Sequence, residues 1–177
     1  SARAEVAAAR AALDAATAYA KDFVDLGERL GIRVECAITY GGQPVGRAIG
    51  PAVEAREAIA VLEGEKHPNS VIEKACGVAG MLLEMGGMKR GEAKARELLM
   101  SGKARDKFRE IVAAQGGDPN IRSANIKIGQ DSFDITAKMC GYVNAIHNKE
   151  LVALARAAGS PRDKGARVLH HKKRGDR

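Results

Sequence analysis

The sequence predicts an α/β fold, in which a helix-rich first part is followed by a mostly antiparallel β segment. Three features of the 177 residues indicate this class. A helix-like run, a strand-like run, a glycine-rich loop and a second helix-like run follow one another over residues 2–64, as in an α/β crossover. Helix-like runs then continue to about residue 115. From residue 125 onward, short strand-like stretches alternate with turn residues.

The predicted elements have boundaries that their residues favour. Gly31 suits a left-handed cap after the first helix, Pro51 suits the first turn of the second helix, and Gly64 suits its end. The run "SVIE" predicts a capping box that includes Glu73. The predicted helices are Ala2–Leu30, 51–63, 70–86, 92–100, 104–115 and 148–158, and the predicted strands are 33–40, 125–128, 132–136, 141–147 and 166–172.

The change of character near "GGDPN" predicts a domain boundary. Residues 116–123 are rich in turn formers and separate the helical region from the strand-like region. We therefore predict an α/β portion over residues 1–118 and the start of a β-rich domain over residues 119–177.

The composition excludes several classes of protein. Cys36, Cys76 and Cys140 are odd in number and widely spaced, so neither a disulfide framework nor a zinc site is indicated. Aromatic residues make up only 3% of the chain, which leaves few platforms on which nucleic-acid bases could stack. No apolar run is as long as a membrane span, which needs about 18 residues, and no signal peptide is recognisable. We expect a soluble, cytoplasmic protein.

The net charge of +7 is concentrated at one end of the chain. Residues 162–177 hold seven Lys and Arg against two Asp, a balance of +5, which leaves +2 for residues 1–161. This basic end is either an electrostatic arm for RNA or DNA or a strand and turn with solvated charges. The nearly neutral body favours the second interpretation, so nucleic acid is not the expected partner.

A glycine-rich loop between the first predicted strand and the second predicted helix is the clearest candidate site. Its glycines, at positions 41, 42, 46 and 50, match neither the Walker A motif nor the dinucleotide-binding motif. A loop before a helix N-terminus exposes N–H donors, and Arg47 adds a cationic group, so the loop could bind an anion. A tight turn that only starts a helix explains the same residues.

Other chemically capable residues give weaker signals. His170 and His171 are adjacent and would point to opposite faces of a strand, which does not suit a shared metal ion. His67 and His147 resemble ordinary surface or capping histidines. Glu54 and Glu57 lie three residues apart on one helical face and could hold a cation, although such pairs are usually solvated.

Longer motifs resemble the thymidine and pyrimidine nucleoside phosphorylase family, most closely in its archaeal AMP phosphorylase form. The similar stretches occur in the order found in these enzymes and cover the chain from about Tyr19. They are "AKDFVDLGERLGI", "CAITYGGQPVGRAIGPAVEAREAIAVLEG", "SVIEKACGVAGMLLEMGG", "GKARDKFREIVAAQGGDP" and "CGYVNAIHNKELVALARAAGSPRDKGARVLHHKKRGDR". The resemblance implies part of the family's α/β lobe, with a parallel or mixed sheet, followed by its β-rich domain.

The resemblance implies a phosphorolysis reaction. Inorganic phosphate would attack the anomeric carbon of a nucleotide or nucleoside, and AMP would give adenine and ribose 1,5-bisphosphate. The family's phosphate loop, its second glycine-rich loop and its Ser-x-x-x-Lys helix find no match here. We therefore expect a C-terminal-half fragment without catalytic residues, inactive alone, whose partners are the missing N-terminal part and further copies of the enzyme. A pyrimidine nucleoside phosphorylase fragment is the alternative.

The resemblance also implies a potassium site in the glycine loop. Main-chain carbonyls of Val45 and Ala48 and the carboxylate of Glu57 match the family's ligands. Carbonyl and carboxylate oxygens suit a hard monovalent cation. No other cofactor or metal is expected.

Overall fold

The computed structural model describes residues 2–177, and its contacts divide the chain into two units, Ser1–Tyr40 and Gly41–Arg177. The helices of the described chain are α1 (Ala2–Leu30), α2 (Pro51–Leu62), α3 (Asn69–Met85), α4 (Gly91–Met100), α5 (Lys103–Ala114) and α6 (Asn148–Ala157), with a 3-10 turn at Ser123–Asn125. The strands are β1 (Ala48–Ile49) and β2 (Val168–Leu169).

The first unit consists of α1 and the extended segment that follows it. Gly31 has a φ of 69° and ends the helix, and the N–H of Ile32 donates to the Gly27 carbonyl at 2.9 Å, as predicted for a left-handed cap. The predicted strand at 33–40 is wrong, because these residues form no strand in the described structure. Alternating side chains favour a strand only where a neighbouring strand supplies hydrogen bonds.

The second unit has its core between helices. α3 packs along α4, and the cluster of buried side chains that joins them to α2 comprises Val61, Ile72, Cys76 and Ala95. Gly80 and Gly91 allow the close approach, because a methyl group at Gly80 would lie 2.6 Å from Glu92 Cα. Cys76 is a buried thiol, and burial raises its pKa.

The α/β class is confirmed, as a helix-rich chain with a small antiparallel sheet. β1 pairs with β2, so that Ala48 lies opposite Leu169 and Ile49 opposite Val168. Part of the predicted final strand is therefore present. The strands predicted at 125–128, 132–136 and 141–147 are wrong, since no strand is assigned there in the described structure. Residues 131–140 are exposed throughout, and no segment among residues 2–177 is assigned as a strand paired with them.

The predicted capping box at the start of α3 is also wrong. The residue before this helix is Pro68, and no side chain caps the first turn. Ser70 instead donates its hydroxyl to the carbonyl of Val45, and Glu73 accepts a hydrogen bond from the side chain of Asn69. The Ser70 hydroxyl, which the local pattern predicted to cap the helix, thus donates to a carbonyl that is distant in sequence.

The predicted domain boundary at residue 118/119 stays a prediction, although contacts cross it. Glu63, just after α2, accepts hydrogen bonds from the hydroxyl of Ser123 at 2.5 Å and from Arg122 Nε at 3.3 Å. These bonds, led by that of Ser123, lower the pKa of Glu63 despite its burial. None of the helices described above is both long and apolar enough to cross a membrane.

Candidate functional site

The glycine loop, residues 41–50, is fixed at its far end by the start of α2. Gly50 has a φ of 134°, and a methyl group there would lie 2.5 Å from the Ala166 carbonyl oxygen, so glycine is required by both conformation and space. The Gly50 N–H donates to Glu54 Oε1 at 2.9 Å. The proline at position 51 then begins the helix without leaving an N–H unpaired.

A second glutamate of α2 holds the middle of the loop. The backbone N–H of Arg47 donates to Glu57 Oε1 at 2.9 Å, and the N–O distance to Oε2 is 3.3 Å. Gly46 makes this approach possible, because a methyl group on it would overlap the Glu57 carboxylate. The loop N–H thus faces a carboxylate of the protein itself.

Lys173 brings a cation to the carbonyl side of the loop. Its Nζ lies 2.6 Å from the carbonyl oxygen of Pro44, 3.1 Å from that of Val45 and 2.7 Å from that of Gly46. These are three consecutive carbonyls, and an ammonium has three N–H donors. Each N–H donor of the Lys173 ammonium can therefore bond to one main-chain carbonyl, without any side-chain acceptor.

Two further side chains donate to the same carbonyls. The Ser70 hydroxyl donates to Val45, and His170 Nε2 lies 2.9 Å from the Gly46 oxygen. The backbone N–H of His170 also donates to the Arg47 carbonyl at 3.0 Å, which extends the β1–β2 pairing by one residue. The loop carbonyls therefore face protein donors from α3 and from the chain beyond β2.

The environment of Lys173 combines burial with charges of both signs. Burial lowers the pKa of Lys173, while the carboxylates of Glu57 and Asp176 raise it and the Arg47 guanidinium lowers it. The net direction is downward. A half-buried ammonium of this kind depends on the hydrogen bonds and carboxylates around it.

A cavity of about 350 Å³ adjoins the loop and α6. Val45, Gly46, Glu57 and Asn148 are among its lining residues. Asn148 Nδ2 donates to the Gly41 carbonyl at 2.9 Å, while its Oδ1 is buried without a hydrogen-bond partner among the described residues. The lining of the cavity thus includes two carboxylate side chains, those of Glu54 and Glu57.

The three residues predicted to bind potassium are close in the structure, and two of them, Val45 and Glu57, already have other partners. Val45 offers its carbonyl to Lys173 and Ser70, Glu57 accepts the Arg47 N–H, and Ala48 lies in β1. A metal cation on the Val45 oxygen would have to compete with the Lys173 ammonium and the Ser70 hydroxyl. Potassium binding by these residues stays a prediction.

Of the other predicted candidates, Glu54 and His170 also contact the glycine loop, whereas no contact of His67 or His147 with it is described. Arg47 is exposed, and anion binding by it stays a prediction, although the nearest carboxylate, that of Glu57, would oppose an anion at the loop N–H. His67 lies before α3 and His147 before α6, well separated in the chain. Within residues 2–177, no three His, Cys, Asp or Glu side chains gather as metal ligands.

Sequence reasoning missed Lys173, Ser70 and Asn148. Each acts on the loop from a position at least 25 residues away in the chain, and Lys173 does so across 127 to 129 residues. The sequence signal nearest to Lys173 is the Gly-Asp pair at 175–176, which is typical of a turn. In the structure this turn is present, and the Lys173 N–H donates to Asp176 Oδ2 at 2.8 Å. Nothing in that signal identifies the lysine's acceptors.

Comparisons with known proteins point to one kind of enzyme. No family model matches the chain. The chain is 57% identical over 164 residues to an AMP phosphorylase of Methanothrix thermoacetophila, which covers 91% of this chain and 32% of that protein. It is 52% identical over 168 residues to one of Thermococcus kodakarensis, covering 93% and 33%, and 52% identical over 158 residues to AMP phosphorylase 1 of Archaeoglobus fulgidus, covering 89% and 31%. The chain spans about a third of the length of these relatives.

Proposed function

We propose that this chain, which belongs to the archaeal AMP phosphorylase family, forms part of an enzyme that cleaves the N-glycosidic bond of AMP with inorganic phosphate. The identity of 51–57% over about nine-tenths of the chain to proteins named AMP phosphorylase carries this proposal. A phosphate oxygen would bond to the anomeric carbon as the bond to the base breaks, and the base would leave with the bonding electrons and take up a proton. The products would be adenine and ribose 1,5-bisphosphate.

The described residues suit a supporting role in this reaction. Phosphorolysis needs donors around the phosphate and groups that stabilise the departing base. The glycine loop instead presents carbonyls that Lys173, Ser70 and His170 already face, and an N–H that Glu57 accepts. We propose that the catalytic groups lie in the two thirds of the relatives that this chain does not match, and that this chain holds one wall of the site.

Exposed apolar side chains support the proposal that further polypeptide packs against the second unit. Phe133 is 88% exposed, Met139 84%, Ile135 79% and Tyr142 75%. Large apolar side chains grouped within ten residues of sequence normally mark a contact surface. The occupant proposed here is the remainder of an AMP phosphorylase, in a cytoplasmic enzyme that assembles from several copies.

The alternative substrate is a pyrimidine nucleoside, and the names of the relatives favour AMP over it. RNA binding by residues 162–177 receives no support from the geometry. The Lys173 ammonium is directed at loop carbonyls, and Lys172 Nζ donates to the Arg177 carbonyl at 2.6 Å. Both lysines therefore have acceptors within the protein.

A chimera tests the proposed function. The part of this chain that matches the relatives would replace the corresponding third of one of them, and phosphate-dependent release of adenine from AMP would be measured. We expect the chimera to release adenine only when inorganic phosphate is present, and the 177-residue chain by itself to release none.

The control chimera carries Gly50→Val, which cannot adopt the φ of 134° without strain and should lose stability and, with it, most of the activity. A folded chimera that releases uracil from uridine but no adenine from AMP would support the pyrimidine alternative instead. Adenine release by the isolated chain would contradict the supporting role.

A further inference from the structure

We propose that the ammonium group of Lys173 is the resident cation of the glycine loop, and that it occupies the place where a metal cation would bind the loop carbonyls. The loop would then be organised by the protein's own charge and would not require a dissolved ion. This inference does not depend on the proposed function, because it concerns the order of the loop in the chain itself.

The geometry of the carbonyls supports this assignment. Three successive peptide oxygens, those of Pro44, Val45 and Gly46, lie between 2.6 and 3.1 Å from Lys173 Nζ. Three carbonyls seldom turn toward one point unless a positive charge lies there, because their partial negative charges repel one another. Carbonyl clusters of this type also replace the hydration shell of a potassium ion. The same oxygens cannot surround both.

The competition favours the lysine because it is tethered. The backbone of residue 173 is fixed by a hydrogen bond to Asp176 and by the neighbouring turn, in which the Gly175 N–H donates to the Val143 carbonyl at 2.8 Å. Such a tether gives the ammonium a high effective concentration at the carbonyls, whereas a dissolved ion must be concentrated and dehydrated first. Glu57, the acidic side chain nearest the loop N–H, also favours the protonated lysine.

This arrangement makes Lys173 a positioning residue. Its side chain joins the loop to the C-terminal turn across 127 to 129 residues of sequence, and His170 joins the loop from the same segment. The Arg174 N–H adds a third connection, to Gln43 Oε1 at 3.0 Å. The loop and the turn should therefore become ordered together.

The test compares Lys173→Met with Lys172→Met in the 177-residue chain. Lys172 is the matched control, because it is the adjacent residue and its ammonium is bonded to the Arg177 carbonyl rather than to the loop. Thermal unfolding and hydrogen exchange of peptides covering residues 43–50 would be measured in potassium chloride and in tetramethylammonium chloride at equal ionic strength. Tetramethylammonium is too large to reach the carbonyls and has no N–H donor.

We expect the wild-type chain and K172M to behave alike in the two salts. In tetramethylammonium chloride, K173M should unfold at a Tm lower by about 3 °C or more, and its loop amides should exchange about tenfold faster. Potassium chloride should restore part of both losses in K173M alone, because the vacated carbonyls can then accept the ion.

Two results would overturn the proposal. One is a wild-type chain whose loop amides exchange more slowly in potassium chloride than in tetramethylammonium chloride, since that would mean that the loop needs a dissolved ion. The other is K173M that matches K172M in Tm and exchange. The first measurement uses only the wild-type chain, so it decides the matter even if K173M does not fold.

Discussion

Glu57 Oε1 accepts the backbone N–H of Arg47 at 2.9 Å, so a carboxylate on α2 fixes the peptide that follows Gly46. The same carboxylate raises the pKa of Lys173, against the effect of burial. The Glu57 carboxylate thus accepts a hydrogen bond from the loop backbone and also stabilises the positive charge of Lys173, which lies against the loop carbonyls. This double role makes Glu57 the residue whose neutralisation should disturb the loop most directly.

Replacing Glu57 by glutamine should destabilise the chain by about 1 to 2 kcal/mol, because a neutral amide accepts the Arg47 N–H more weakly than a carboxylate. Loss of the charge should also lower the pKa of Lys173 further. Urea unfolding at neutral pH measures the first effect. Glu65→Gln is the control, since Glu65 is exposed and accepts from its neighbour Lys66 at 3.2 Å. Equal stability of the two variants would contradict the role of Glu57.

Gly50→Ala should destabilise the chain by about 1 to 3 kcal/mol, because alanine rarely adopts a φ of 134° and its methyl group would meet the Ala166 carbonyl. The matched change is Gly41→Ala in the same loop, where nothing lies within 4 Å of the added methyl group. We expect Gly41→Ala to be neutral within about 0.5 kcal/mol. Chemical denaturation measures the free energy of unfolding of both variants. A Gly50→Ala variant as stable as the wild-type chain would contradict the loop conformation described here.

The helices of this chain could be predicted from sequence because their signals are local. The first helix ends at Leu30, just before Gly31, and the second begins at Pro51, as the sequence indicated. Strands could not be predicted in the same way. Residues 33–40 and 132–136 have the composition of strands, yet a strand also requires a paired neighbour, and that neighbour is a property of the whole fold.

The candidate site was predictable in position but not in its partners. The glycine-rich run indicated the loop, and the family resemblance added the carbonyls of Val45 and Ala48 and the carboxylate of Glu57; in the structure that carboxylate accepts a hydrogen bond from the loop. Lys173 was assigned to a solvated basic end because its charge is visible in the sequence while its acceptors, 127 to 129 residues away, are not. Ser70 was assigned to a capping box for the same reason.

Ser123→Ala should lower the stability of the chain near neutral pH and make that stability less dependent on pH, because it removes the main interaction that lowers the pKa of Glu63. The pKa of Glu63 is lowered chiefly by the Ser123 hydroxyl, so Glu63 stabilises the folded chain above its ordinary pKa of 4.5. That contribution is lost as the pH falls through the lowered folded-state pKa. Without the hydroxyl, the free energy of unfolding should drop by about 0.5 to 1.5 kcal/mol at neutral pH, and the loss should shrink below pH 4.5.

Unfolding measured from about pH 6 to about pH 3 checks this expectation. Ser132→Ala is a suitable control, since Ser132 lies in the exposed segment 131–140. A difference between S123A and wild type that stays constant across this range would mean that the hydroxyl stabilises the turn without acting through Glu63.

Two glycines of α3 should respond in opposite directions to the same substitution. Gly77 has nothing within 4 Å of an added methyl group, so Gly77→Ala should stabilise the chain by about 0.5 to 1 kcal/mol through helix propensity. Gly80→Ala should destabilise it by about 1 to 3 kcal/mol, because the methyl group would press on the backbone of Glu92 and separate α3 from α4. Guanidinium unfolding of both variants measures the contrast. Two alanines with the same effect would mean that α3 and α4 do not approach each other at Gly80.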